Sequence, residues 1–109
     1  MLENKKQFTI VHHVFFWLKN PESTEDKAAL IEGIRSLGSI EEVKAIHVGE
    51  PADTEKRGVV DGSFSVTEML VFENEADEAV YQSHPTHKAF VEKHEALWDK
   101  VLVYDSREV

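Results

Sequence analysis

The sequence predicts a single α+β domain in which helices cover one face of an antiparallel sheet. Its 109 residues suit one domain of ordinary size. Stretches rich in β-branched and aromatic residues are separated by stretches whose apolar residues follow helical spacing. The 41% hydrophobic content, with 5 glycines and 3 prolines, is typical of a globular chain.

The first two elements are a strand and an amphipathic helix. Residues 8–18 are β-branched and aromatic, which predicts a strand. Ser23 or Thr24 then provides an N-cap, and Gly38 ends the following helix. The apolar residues at helical spacing between these two points are Leu30, Ile31, Ile34 and Leu37.

A second strand, a loop and a third strand come next, followed by a short helix. Residues 43–49 form the second strand, and residues 51–62 are polar and lack periodicity, which indicates an exposed loop. Residues 63–72 alternate as a third strand does. Residues 74–81 form a helix that must break near Pro85, because proline disfavours helical backbone in the residue before it.

The helix restarts over residues 86–98, and residues 100–105 form a last strand. The order is therefore β-α-β-β-α-β, the split pattern of ferredoxin-like domains. We place the domain at residues 8–106, with short tails at residues 1–7 and 107–109.

The composition excludes several classes of function. Lys and Arg number 12 against 21 Asp and Glu, and the net charge of −9 disfavours nucleic acid and membrane surfaces as partners. The absence of cysteine excludes disulfides and thiolate metal sites. No apolar stretch approaches the roughly 20 residues of a spanning helix, and residues 1–7 are too polar to begin a signal peptide. We expect a cytoplasmic protein.

The first strand is apolar on both faces, although the helices of one chain cover only one face. We predict that Ile10, Val14 and Phe16 lie on the face that a second copy covers, together with His12. The alternate residues would then lie under the helices. The sequence thus predicts a homodimer that packs through this sheet face.

The histidines suggest an acid–base site. We expect His13 to meet His87 in an apolar pocket beneath the helices, with Tyr81 at its rim. Burial lowers the pKa of a histidine and keeps one nitrogen free to accept a proton. The other residues predicted to line this pocket are Phe15, Trp17, His84, Phe90, His94 and Trp98.

Two other interpretations of the histidines stay open. They can serve as hydrogen-bonded core or capping groups without chemistry. His84 and His87, three residues apart, also resemble a pair of metal ligands that Glu92, Glu95 or another histidine would complete. Because Pro85 lies between the two histidines and no thiolate is available, we predict no tightly held metal and no cofactor.

Three segments together resemble the stress-responsive α/β-barrel (Dabb) domain family. They are residues 10–16 (IVHHVFF), 81–90 (YQSHPTHKAF) and 101–105 (VLVYD). The resemblance spans residues 8–106. It implies a ferredoxin-like subunit that pairs into a dimeric α+β barrel.

The resemblance also implies a function for the pocket. A plant polyketide cyclase of this family uses a strand histidine, a histidine of the second segment and the tyrosine before it, which correspond here to His13, His87 and Tyr81. Phe64 and Val66 stand where that enzyme has a tyrosine and a histidine. We therefore expect a small apolar ligand and lyase or cyclase chemistry on a different substrate. The alternatives are a non-catalytic, stress-related structural oligomer and a metal or haem oxygenase.

Overall fold

The computed structural model describes residues 9–109, which form one four-stranded antiparallel sheet with helices on one face. The strand order is β2-β3-β1-β4. The strands are β1 Ile10–Leu18, β2 Ala45–Gly49, β3 Val66–Phe72 and β4 Trp98–Arg107. The helices are α1 Thr24–Ser36, α2 Glu75–Ser83 and α3 Pro85–His94, with 3₁₀ turns at Leu37–Ser39 and Glu95–Leu97. The predicted α+β, ferredoxin-like fold is confirmed.

The predicted elements are all present, and their ends differ. Helix α1 begins after Ser23, whose hydroxyl accepts a hydrogen bond from the Asp26 N–H at 3.1 Å. The helix predicted over residues 86–98 ends at His94, because Trp98 already pairs with Leu18 of β1. Phe8, the first residue predicted for β1, lies outside the described residues.

The core lies between the sheet and the helices. The residues of β1 on this side are 2–5% exposed and pack with Leu30 and Ile34 of α1. The burial of each apolar side chain among them stabilises the fold by roughly 1.5–3 kcal/mol. The β1 residues on this side are Ile10, His12, Val14, Phe16 and Leu18.

The predicted assignment of the two faces of β1 is wrong. Ile10, Val14 and Phe16 lie beneath the helices, and the alternate residues lie on the opposite side. The register explains why. Ile10 pairs with Phe72 of β3, and residues paired across antiparallel strands share a face. Phe72 is completely buried with the core, so its face of β1 is the covered one.

The other side of the sheet, which we call the open face, carries an apolar and aromatic surface. The Phe15 ring lies 5.2 Å from the Phe64 ring and 6.1 Å from the ring of Tyr104, which is 61% exposed. A groove of about 270 Å³ runs across it. The residues that line this groove are Phe15, Trp17, Val59, Asp61, Phe64, Leu102 and Tyr104. Across residues 9–109, no helix is long and apolar enough to traverse a bilayer.

Helices α1 and α3 approach closely at Gly33. A Cβ atom at this position would lie 2.3 Å from Nε2 of the buried His94. We expect Gly33→Ala to lower the free energy of unfolding by about 1 kcal/mol, because an overpacking cost of roughly 1–3 kcal/mol exceeds the gain in helix propensity. Thermal unfolding of Gly33→Ala in the wild-type and His94→Ala backgrounds tests this expectation. An equal cost in both backgrounds would show that His94 is not the obstacle.

Candidate active site

The break between α2 and α3 brings two candidate site residues, Tyr81 and His87, together. His84 has extended backbone (ψ 138°), as expected before proline, and its Nδ1 accepts a hydrogen bond from the Thr86 N–H at 3.0 Å. In one continuous helix, Tyr81 and His87 would be roughly 1.7 turns apart and would point to different sides. Across the break their ring centroids lie 4.4 Å apart. His84 is therefore the capping residue that builds this contact.

His87 is arranged to accept a proton. Its Nδ1 lies 3.2 Å from the Gln82 carbonyl oxygen, which only accepts, so Nδ1 carries the hydrogen. The Nε2 lone pair of the neutral ring is then free. Burial lowers the pKa of His87, and the hydrogen bond to Gln82 opposes this effect. The neutral, basic form consequently dominates near pH 7.

Tyr81 and His87 line a cavity of about 130 Å³ between the sheet and the helices α2 and α3. Val101 and Val103 of β4 are 38% and 44% exposed and lie at its edge. The walls are mostly apolar. The remaining lining residues are His12, Val14, Phe16, Glu68, Gln82, Phe90, Val91 and Trp98.

His12, and not His13, is the strand histidine of this cavity. The His12 ring lies 5.8 Å from the Tyr81 ring, and its Nδ1 donates to Oδ1 of Asp105 at 2.5 Å. His13 lies on the open face, where its ring centroid is 4.4 Å from that of Phe15, with the two rings tilted by 33°. The expected meeting of His13 with His87 is thus wrong, because successive strand residues point to opposite faces.

Glu68 of β3 is a functional candidate that the sequence interpretation missed. Its side chain is 2% exposed, and its Oε2 lies 3.8 Å from His12 Nε2. Tyr81 hydrogen-bonds to this carboxyl group, and Oε1 has no hydrogen-bond partner among residues 9–109. Burial raises the pKa of Glu68 to about 8, although the Tyr81 hydrogen bond lowers it. The sequence did contain a signal for it: Glu68 alternates with the apolar Val66 and Leu70 along β3, which places a glutamate on the buried face of the strand.

The other residues predicted for the pocket are dispersed. Phe90 and Trp98 line the cavity. Phe15 and Trp17 line the groove of the open face instead. His94 lies in a groove between α1 and α3, where burial lowers its pKa.

One group of three side chains in the described part of the chain has the proximity of a metal site. It consists of His12, Glu78 and Asp105, whose potential ligand atoms lie within 4.8 Å of one another. The hydrogen bond between His12 and Asp105 accounts for the proximity of these two side chains, and it leaves no lone pair on Nδ1. Neither His84 nor His87 belongs to such a group within residues 9–109.

Solved structures of the same fold come from several organisms. A protein from Arabidopsis thaliana is 30% identical, with 92% of this chain and 95% of that chain covered and a TM-score of 0.77. A hydroxynitrile lyase from Passiflora edulis is 22% identical, with 94% and 96% covered and a TM-score of 0.77. A dimeric ferredoxin-like protein of unknown function from Thermobifida fusca is 17% identical, with 94% and 93% covered and a TM-score of 0.74.

A search of curated proteins finds no match. The family model of the stress responsive A/B barrel domain, Dabb, matches residues 10–108. This match extends from the first residue of β1 to the residue after the end of β4 and covers the whole cavity. The chain therefore belongs to the Dabb family of stress responsive A/B barrel domains.

Proposed function

We propose that the cavity is an acid–base catalytic site of lyase or cyclase type, which acts at the carbon next to a carbonyl group. In this proposal His87 Nε2 removes the proton and Tyr81 donates a hydrogen bond to the carbonyl oxygen. The observation that carries the proposal is the contact between Tyr81 and a neutral His87 on the wall of an apolar cavity. His12 replaces His13 as the strand histidine of this site.

The size and lining of the cavity support a small and largely apolar substrate. Its volume of about 130 Å³ is close to the roughly 150 Å³ of an apolar protein cavity that binds benzene. Among the residues that the structure describes, the lining contains neither Lys nor Arg, so an anionic substrate would lack a counter-charge there. Space for a ligand favours catalysis over a purely structural role, for which a filled interior is expected. The similarity to a hydroxynitrile lyase shows the fold, and a lyase reaction on this fold supports the proposal.

Exchange of the α-hydrogens of cyclohexanone in D₂O tests the proposed chemistry, because this exchange requires proton removal next to a carbonyl. We expect the protein to accelerate exchange and His87→Gln to reduce the rate by about 10²-fold or more. The rate should fall with decreasing pH only below the ordinary histidine pKa of 6.5, because burial lowers the pKa of His87 and the base is lost on protonation. Proton NMR follows the reaction.

His47→Gln is the matched control, since His47 is an exposed histidine of β2 that does not line the cavity. Its exchange rate should equal that of the wild type. Equal rates for His87→Gln and the wild type would contradict the assignment of His87 as the base. A separate assay of hydroxynitrile cleavage with the same variants would show whether the site also breaks a C–C bond.

We further propose that the protein is a homodimer in which a second copy covers the open face. The open face presents an aromatic surface in which Phe15 packs beside Tyr104, a tyrosine that is 61% exposed, and apolar surface of this kind is typical of protein interfaces. The dimeric state of the Thermobifida fusca protein supports this arrangement. The cavity lies on the other side of the sheet, so its lining residues listed above come from one chain.

A further inference from the structure

A chain of polar side chains leads from the cavity to the protein surface. Tyr81 hydrogen-bonds to Glu68, Glu68 Oε2 lies 3.8 Å from His12 Nε2, and His12 Nδ1 donates to Asp105. The side chain of Asp105 is 52% exposed, whereas those of His12 and Glu68 are 6% and 2% exposed. Glu68 is thus the innermost carboxyl group, and it is in contact with the proposed hydrogen-bond donor of the site.

The surroundings of Glu68 favour its neutral form. His12 faces it from β1, with Nε2 3.8 Å from Glu68 Oε2 and Nδ1 hydrogen-bonded to Asp105, and Tyr81 faces it from α2. The acidic Glu78 and Asp105 both lie close to His12, and His87 lines the same cavity in its neutral form. Among the described residues, neither Lys nor Arg forms an ion pair with Glu68. A carboxylate at this position would therefore be buried without a Lys or Arg partner among residues 9–109.

The protonation of Glu68 determines what the Tyr81 hydroxyl group can do. A carboxylate only accepts hydrogen bonds, so an ionised Glu68 takes the hydrogen of the Tyr81 hydroxyl. A protonated carboxyl group has one O–H donor, and it can donate to the Tyr81 oxygen instead. The tyrosine hydrogen is then available to a ligand in the cavity.

We propose that Glu68 is a positioning residue that, when protonated, donates to the Tyr81 oxygen and so directs the Tyr81 hydroxyl hydrogen at the carbonyl oxygen of a neutral ligand. This inference rests on the proposed role of Tyr81 as the donor to the substrate. It deepens that role, because it restricts the substrates to neutral carbonyl compounds at a pH where Glu68 holds its proton. Within the described part of the chain, Glu68 Oε1 has no hydrogen-bond partner, which agrees with a group whose hydrogen bonding changes with its protonation.

The affinity for cyclohexanone, measured by NMR titration from pH 6 to pH 10, tests the inference. In the wild type we expect binding to weaken by roughly three- to tenfold as the pH rises through the Glu68 pKa of about 8, because one hydrogen bond to the ligand is lost. In Glu68→Gln the amide N–H donates to Tyr81 at every pH. This variant should bind as tightly as the wild type does at pH 6, with no loss at pH 10.

Two controls separate positioning from a structural effect. Cyclohexane has a similar shape and no carbonyl, so its affinity should not change between pH 6 and pH 10. Tyr81→Phe should bind cyclohexanone more weakly and without the pH dependence, because Glu68 acts through the Tyr81 hydroxyl. An unchanged alkaline loss in Glu68→Gln, or the same loss with cyclohexane, would overturn the inference.

The outcomes also separate this inference from the proposed function. Binding of cyclohexanone with the expected pH dependence, but without catalysed exchange in D₂O, would support the role of Glu68 and reject the catalytic role of His87. Catalysed exchange, together with equal affinities of Glu68→Gln and the wild type for cyclohexanone at alkaline pH, would support the catalytic role of His87 and reject the role of Glu68. A protein that neither binds cyclohexanone nor catalyses its exchange would overturn both.

Discussion

Replacing Glu68 by Gln is expected to raise the melting temperature of the protein at pH 9 and to leave it almost unchanged at pH 4. The pKa of Glu68 is about 8 in the folded protein, against 4.5 for an ordinary glutamate. Between these values the folded state holds a proton that the unfolded state has released, so stability decreases as the pH rises. The loss is about 1.4 kcal/mol per pH unit between the two pKa values and reaches about 5 kcal/mol near pH 9.

The glutamine variant avoids this loss because its side chain carries no charge at any pH. Below pH 4.5 the glutamate is protonated in both states, and the two proteins should unfold alike. Thermal unfolding followed by circular dichroism at several pH values measures the difference. Glu73→Gln, at an exposed glutamate just after β3, is the matched control and should show no gain that grows with pH. A parallel pH dependence for Glu68→Gln and the wild type would mean that Glu68 is ionised in the folded protein.

Introducing a charge at Phe15 should convert the protein from a dimer to a monomer. Phe15 lies among the aromatic side chains of the open face, next to Phe64 and Tyr104. In a dimer packed through this face, Phe15→Glu would bury an unpaired carboxylate from each subunit, at about 3–5 kcal/mol each. The dissociation constant should rise by about 10²-fold or more.

Light scattering coupled to size-exclusion chromatography at micromolar concentration distinguishes the two states. Val80→Glu is the matched control, because Val80 is a 46% exposed apolar residue of α2 on the other side of the sheet. It should leave the dimer intact. A wild-type protein that is monomeric in this experiment would reject the proposed assembly, and a dimeric Phe15→Glu would show that another surface forms it.

The order of the elements could be predicted because each has a local signal. The Ser23 cap, the apolar spacing of α1 and the proline after His84 act within a few residues. The assignment of the faces of β1 could not be predicted, since both faces are apolar. It depends on partners distant in sequence, such as Asp105, which lies 93 residues from the histidine it binds.

The same distinction applies to the candidate site. The contact of Tyr81 with His87 depends on a local break in the helix, so the spacing around Pro85 was informative. Glu68 and His12 join the site only through the pairing of β1 with β3 and the packing of α2 against them. The sequence shows their types and their phase, but not which side chains surround them.

The alternation of β1 gives one strand two separate roles. Its even-numbered residues, including His12, line the cavity and the core, and its odd-numbered residues lie on the open face. Substitutions at the two sets should therefore be genetically separable, with effects on catalysis or stability in one set and on assembly in the other. Deletion of one residue within β1 would move the side chains beyond the deletion to the opposite face of the sheet. This single mutation would therefore disrupt both the cavity and the assembly.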